Sequence, residues 1–239
     1  LKKIHCPTSA VSTEPMKQLV LGSASPRRAF LLQECGFRFE IRPSHASEEF
    51  NPETPPQEVP GMLAARKWSA GSGNLARHEC LLTADTVVIL SNRILNKPAD
   101  EGEAVEMLTE LSGNTHTVIT GVCIGGPDSA PFQLHVRSAV TFHTLNPAEI
   151  HEYVRTFRPL DKAGAYGAQE CLAHGANPCS ELERAFIQRL SLGDILTRSK
   201  PANWKAAPMT AIKGIEGPYF NVMGLPVAEI YDDLMRLLE

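Results

Sequence analysis

The segment Gly22-Ser23-Ala24-Ser25-Pro26-Arg27-Arg28 puts two hydroxyls and two guanidinium groups at what reads as the start of a helix. A helix N-terminus carries unpaired N–H groups and a partial positive charge, so it attracts anions by itself. Arginine adds a planar fork of donors that matches phosphate oxygens. Gly22 lets a ligand approach the backbone closely. The same residues also fit an ordinary capped helix, with Ser25 as N-cap, Pro26 as the first helical residue and two solvated arginines. The Gly-x-x-x-x-Gly-Lys-Ser/Thr phosphate loop is absent.

Hydrolysis at bound phosphate requires a group that activates water. Asp85 interrupts an apolar run, with Leu81-Leu82-Thr83-Ala84 before it and Val87-Val88-Ile89-Leu90 after it. A carboxylate there is costly unless paired or bound to a cation. At a strand end facing a cleft it can hold a divalent metal or take a proton from water; in a turn it would bond to its own backbone. Glu48 and Glu49 can supply a second carboxylate or simply be solvated. Lys67, beside Trp68, and Lys97, on extended backbone before Pro98, can each neutralise phosphate or point into water. Asp161-Lys162-Ala163-Gly164-Ala165-Tyr166-Gly167 is either a ligand-approaching loop or a tight turn.

The elements around these residues follow from periodicity and punctuation. Residues 17–21 read as a buried strand, and 26–34 as a helix stopped by Gly36. Residues 37–41 alternate as a strand, and the proline-rich stretch 43–60 is a loop. A helix is predicted over 59–70. Residues 81–90 read as strand, turn at Ala84-Asp85, then strand. An amphipathic helix over 100–111 precedes an antiparallel pair, 116–124 with 134–142. Helices are predicted over 146–154, 181–190 and 227–238. Residues 171–211, with Asn177-Pro178, Lys200-Pro201 and Ala207-Pro208, read as an insertion. Alternation of strands and helices predicts an α/β fold. The expected organisation is an N-terminal extension over 1–16 and a single domain over 17–239, without internal repeats.

Composition narrows the classes. A chain of 239 residues suits one large domain or two small lobes. Its net charge of −4 provides no global basic field for nucleic acid. Six cysteines (Cys6, Cys35, Cys80, Cys123, Cys171 and Cys179) lack Cys-x-x-Cys spacing and predict free thiols in a reducing compartment, hence a cytoplasmic location. Cys171, His174 and Cys179 lack a fourth zinc ligand. The apolar stretch 80–90 is too short to span a bilayer, and no apolar segment of a signal peptide follows Lys2 and Lys3.

Six motifs, in order, resemble the Maf family of nucleoside triphosphate pyrophosphatases. They are Leu-Gly-Ser-Ala-Ser-Pro-Arg-Arg (21–28), Thr-Ala-Asp-Thr-Val-Val (83–88), Asn-Lys-Pro-Ala-Asp (96–100), Met-Leu-Thr-Glu-Leu-Ser-Gly (107–113) with His116 and Thr120-Gly121-Val122, Asp-Lys-Ala-Gly-Ala-Tyr-Gly-Ala-Gln (161–169), and Gly217 to Pro226. The resemblance implies a mixed, elongated sheet with two lobes around a deep cleft, like the inosine triphosphate pyrophosphatases, and a homodimer. It implies release of pyrophosphate from a nucleoside triphosphate with Mg²⁺ or Mn²⁺. Asp85 would accept the proton of the attacking water and bind metal with Glu48, Glu49 being adjacent. Ser23, Ser25, Arg27, Arg28, Lys67 and Lys97 would hold the triphosphate.

Arg27, Thr86 and Gln169 resemble the family branch that prefers dTTP and UTP. A glutamine amide can donate to uracil O4 and accept from N3–H. Two departures stand out: Glu170 occupies a position where the family usually carries Gly, and either changes specificity beside Gln169 or points outward; and the insertion over 171–211 covers the cleft, extends a dimer interface or stays disordered. Rival expectations are a nucleotide-binding regulator of cell division without essential turnover, and a purine-directed enzyme.

Overall fold

The computed structural model describes residues 17–202 and 209–239. The extension over 1–16, with Lys2, Lys3 and Cys6, and the Ala207-Pro208 pair lie outside the described residues.

Gln18–Leu21 (β1) is buried along Leu19, Val20 and Leu21, as suits a parallel strand covered on both faces. It lies between Phe39–Ile41 (β2) and Glu79–Leu90 (β3), parallel to both. The rest of the sheet is antiparallel. β3 turns through Ser91 and Asn92, both at positive φ, into Arg93–Leu95 (β4). On its other edge β3 pairs with Thr115–Gly125 (β5), then come Phe132–Phe142 (β6) and Ile212–Glu216 (β7). The result is a mixed seven-stranded sheet in the order β2-β1-β3-β5-β6-β7, with β4 beside β3.

Helices flank the sheet: Pro26–Glu34 (α1), Val59–Ser72 (α2), Glu101–Leu111 (α3), Pro147–Phe157 (α4), Glu181–Arg189 (α5), Ile195–Arg198 (α6), Tyr219–Met223 (α7) and Val227–Leu238 (α8). The architecture is mixed α/β. Most of the apolar core includes α1, α3, α4, α5, α7 and α8 residues; a smaller cluster of Val59, Leu63, Val87 and Ile119 lies beneath α2.

One expected element is corrected. No turn interrupts residues 81–90: β3 runs straight through Ala84 and Asp85, which pair with Val122 and Gly121 of β5. The ladder accommodates Asp85 because its charge is met from outside the strand. Strand period 2 puts Thr83, Asp85 and Val87 on one face. That face meets α2, where Thr83 Oγ1 donates to the Ala64 carbonyl at 2.8 Å and Lys67 reaches Asp85.

Residues 171–211 contribute to the main core through Cys171, Cys179, Phe186, Leu192 and Ile195. Buried Glu183 accepts from the backbone N–H groups of Tyr219 at 2.8 Å and Phe220 at 2.6 Å, so α5 holds the start of α7. Arg198 pairs with Glu34 of α1, and Arg189 with Asp232 of α8 at 2.9 Å.

Candidate active site

The strand registers open a gap in the sheet. β3 is paired with β1 as far as Leu82 and with β4 only from Val88. Between them, on the edge away from β5, residues 83–87 have no strand partner. The chain leaves β1 at Gly22, whose N–H still donates to Leu82 O at 2.8 Å, and enters α1 through Ser23 to Ser25. Ligands of α/β sheets bind at such places, beyond the carboxyl ends of strands. Here the gap is the floor of a cleft of about 400 Å³.

Ser23, Ser25, Arg27, Arg28, Glu48, Lys67, Asp85, Thr86, Lys97 and Gln169 all line this cleft. Glu49 does not appear among its walls, and the exposed loop turns Glu48 inward instead. No described residue of 171–211 lines it either.

At one wall the Lys67 ammonium lies between two carboxylates, 2.5 Å from Asp85 Oδ1 and 2.7 Å from Glu48 Oε1. Lys97 stands 3.7 Å from the other oxygen of Glu48. The hydrogen bond from Lys67, aided by Lys97, holds the Glu48 carboxyl below its ordinary pKa. Lys67 and Asp85 are nearly buried, each 9 % exposed, so their pairing is screened little by water.

At the helix start, Ser25 makes no side-chain cap bond, so its hydroxyl is not spent on capping. Arg28 is braced three ways: Nε donates to Gly224 O at 2.8 Å, Nη1 to Ser23 Oγ at 3.0 Å and Nη2 to Thr86 Oγ1 at 3.1 Å. Burial lowers the Arg28 pKa, and the Asp85 charge offsets part of that shift. Thr86 is tied to Thr120 Oγ1 at 2.9 Å, and Thr120 to buried Asn221. Asn221 also donates to Val118 O and Ser138 Oγ, joining α7 to β5 and β6. Arg28 therefore rests on a polar strut that crosses the sheet.

The opposite wall is the loop 161–169. Arg27 Nη1 lies 3.1 Å from Asp161, and Lys162 lies 2.8 Å from the other oxygen of Asp161. Burial alone would raise the Asp161 carboxyl, yet Lys162 and Arg27 together pull it below its ordinary value. Gly164 packs on Val88 at φ 68, where an added methyl would meet the Val88 side chain at 3.0 Å. Tyr166 is fixed by His116, Nε2 to OH 2.7 Å, and burial lowers the His116 pKa to about 4. Gln169 is buried at the end of this loop.

Asp161, Lys162, Tyr166 and Gly224 join the lining beyond the ten residues expected there. The loop's glycines and paired charges are a sequence signal for the first three. Nothing in the sequence indicates that the Gly224 carbonyl receives Arg28. Five cationic side chains thus face three carboxylates across a cleft in a chain of net charge −4. Charges of one sign gathered in a cleft focus their field on an ion of the opposite sign that enters it.

Fold and cleft define an α/β protein with a cation-rich cleft at a gap in its sheet. The chain belongs to the Maf family: residues 18–176 match the family described as Maf-like protein. It is 35 % identical over 221 residues to the dTTP/UTP pyrophosphatase of Phocaeicola vulgatus, covering 92 % of this chain and 96 % of that protein. It is 36 % identical to the dTTP/UTP pyrophosphatase of a Geobacillus species, covering 93 % and 99 %, and 38 % identical to that of Moorella thermoacetica, covering 90 % and 92 %. A solved dITP/XTP pyrophosphatase from Mycobacterium abscessus aligns over 54 % of this chain and 75 % of its own at a TM-score of 0.35 and 11 % identity, a likeness too slight to define a shared fold.

Proposed function

We propose that this protein hydrolyses dTTP and UTP between the α- and β-phosphates, releasing pyrophosphate and the nucleoside monophosphate. The observation that carries the reading is the Asp85–Lys67–Glu48 cluster on the wall of a cation-rich cleft. The names of the relatives point to the same substrates. A protein that only bound nucleotide would need no water-activating carboxylate beside its phosphates.

Asp85 orients the attacking water and takes its proton. As the water oxygen bonds to the α-phosphorus, the bond to the bridging oxygen breaks and pyrophosphate leaves with the electron pair. Ser23, Ser25, Arg27, Arg28, Lys67 and Lys97 face the charge that builds on the phosphate oxygens, and such preorganised charge is the main catalytic contribution in phosphoryl chemistry. Gln169 offers the donor and acceptor that a uracil or thymine edge requires.

The residues fit a divalent cation such as Mg²⁺ or Mn²⁺. Lys67 engages one oxygen of Glu48 and one of Asp85, so each carboxylate has a second oxygen that Lys67 does not take. No cluster of three or more His, Cys, Asp or Glu able to hold a metal occurs among the described residues. One or two carboxylates completed by phosphate oxygens is the usual Mg²⁺ arrangement. When bound, the cation would withdraw charge from the phosphate oxygens.

A cytoplasmic home and a homodimer complete the reading. The described cysteines are all unpaired and buried, which suits a reducing compartment, and no helix of the described residues is long and apolar enough to cross a membrane.

The test is pyrophosphate release from dTTP, UTP, GTP and ITP with Mg²⁺. Asp85→Asn is expected to lower kcat by about 10²–10⁴ while the protein stays folded, the range for loss of a general base. Faster turnover of ITP or GTP than of UTP overturns the pyrimidine assignment. No release above the Asp85→Asn background overturns the enzymatic one.

A further inference from the structure

Glu170 stands outside the cleft lining but inside the protein, 8 % exposed. Its two oxygens have separate partners. Oε2 accepts from the Tyr153 hydroxyl at 2.5 Å, and Oε1 lies 3.8 Å from the Lys162 ammonium. The Tyr153 oxygen in turn accepts from the Gly167 N–H at 3.0 Å. Tyr153 belongs to α4, is fully buried and stacks on Phe157 at 5.1 Å. Burial, with Glu170 and Cys171 nearby, raises its pKa, so the phenol remains a donor. Gly167 leaves no room above the carboxyl: an added methyl would lie 2.7 Å from Glu170 Cδ. The loop 161–170 is thus fastened to a rigid helix through one carboxyl and one phenol.

Among the groups that the fastened loop turns to the cleft are Lys162 and Gln169. Lys162 is shared by Asp161 and Glu170, and Asp161 is shared by Lys162 and Arg27. The chain Tyr153–Glu170–Lys162–Asp161–Arg27 therefore runs from the core to the helix start on the far side of the cleft. Gln169 is the residue immediately before the clamp. Glutamine discriminates a base edge only if its amide is held in place, because misplacement by about 1 Å loosens a recognition site.

We propose that Glu170 and Tyr153 are positioning residues for nucleotide selection: they hold the Gln169 amide in register with the base and keep the Lys162 ammonium partly neutralised, without touching the nucleotide. The inference rests on the reading of this cleft as a nucleoside triphosphate site. The two duties of Glu170 are separable. Glutamine at 170 keeps an acceptor for Tyr153 and removes the charge beside Lys162. Alanine removes both. Phenylalanine at 153 removes the hydroxyl alone and leaves the Gly167 N–H without its partner.

Kinetics of UTP and GTP hydrolysis on wild type, Glu170→Gln, Glu170→Ala and Tyr153→Phe, with melting curves alongside, decide it. The ratio of kcat/KM for UTP over GTP is expected to fall about tenfold or more in Glu170→Ala and Tyr153→Phe, the scale of losing one oriented base contact. In Glu170→Gln that ratio is kept, while KM for both nucleotides falls and rises more steeply with added salt, because Lys162 then faces phosphate with less of its charge neutralised. Should Tyr153→Phe fail to fold, the contrast between the alanine and glutamine variants at 170 carries the result. Folded variants that lose melting temperature but keep wild-type selectivity and KM overturn the inference, for Glu170 would then be only structural. Turnover by the wild type with no such change overturns this inference alone; no turnover by the wild type overturns the enzymatic reading and this inference with it.

Discussion

Ser25 has the residue type and the position of a helix cap, yet its hydroxyl makes no cap bond. Capping and ligand binding therefore predict different costs for its removal. A working serine cap is worth about 0.5–2 kcal/mol, so Ser25→Ala should change the unfolding free energy by less than about 0.5 kcal/mol while raising KM for the triphosphate. Chemical denaturation paired with steady-state kinetics measures both; a stability loss with unchanged KM would restore the capping role. Asp85 shows a similar division between residue type and setting. Its type and its apolar neighbours mark it in the sequence, but they are equally compatible with a turn. The Lys67 ammonium at 2.5 Å is what lets it remain in a strand. Glu48 and Glu49 are alike as residues, and only the path of their loop turns Glu48 to Lys67.

α2 must sit at a set height above the sheet for Lys67 to meet Asp85. Gly121 of β5 fixes that height, since a methyl there would lie 2.5 Å from the backbone of Pro60 and Gly61 at the start of α2. Backbone cannot yield as a flexible side chain can. Gly121→Ala should cost about 1–3 kcal/mol of stability by overpacking and lower kcat, since the Lys67–Asp85 pair shifts with the helix. Urea titration with activity on the folded fraction tests this; unchanged kcat would mean that α2 does not set the pair. The helices predicted over 59–70, 100–111 and 146–154 correspond to α2, α3 and α4, because their apolar spacing and, at Asp100 and Asn146, their side-chain caps are local signals. β7 has no such signal. Ile-Lys-Gly-Ile-Glu is short and interrupted by Gly214, and its pairing to β6 is a long-range event.

Across the whole molecule, α5 and α8 bring two acids from distant parts of the chain under each other's influence, buried Glu183 on α5 and half-buried Glu229 on α8. Glu229 on α8 is raised to about 7, first by burial and then by the charge of Glu183 on α5, and its Oε2 has no hydrogen-bond partner. In the unfolded chain it would ionise near 4.5, so between those values the folded state holds the extra proton. Stability from this group is therefore complete below pH 4.5 and is lost as pH rises through about 7. Glu229→Gln should raise the unfolding free energy at pH 8 by about 1–2 kcal/mol, and by much less at pH 5. A tenfold change in proton affinity corresponds to ~1.4 kcal/mol, and the partial exposure of Glu229 to water reduces the total. Melting temperature against pH for both proteins measures it, and parallel curves would dismiss the effect.

Residue types and their order along the chain determined by themselves which groups are available for phosphate chemistry, where most helices begin, and the family resemblance. Those are properties of short segments: a cap, an apolar period, a glycine-rich turn. Tertiary structure decided the rest. It joined Ser23, Glu48, Lys67, Asp85, Lys97 and Gln169, which are far apart in sequence, at one gap between β1 and β4. It also buried Glu170 against Tyr153 instead of turning it outward. Both depend on which strand edges and side chains meet after the chain has folded, and pairing between distant segments leaves only a weak trace in local sequence.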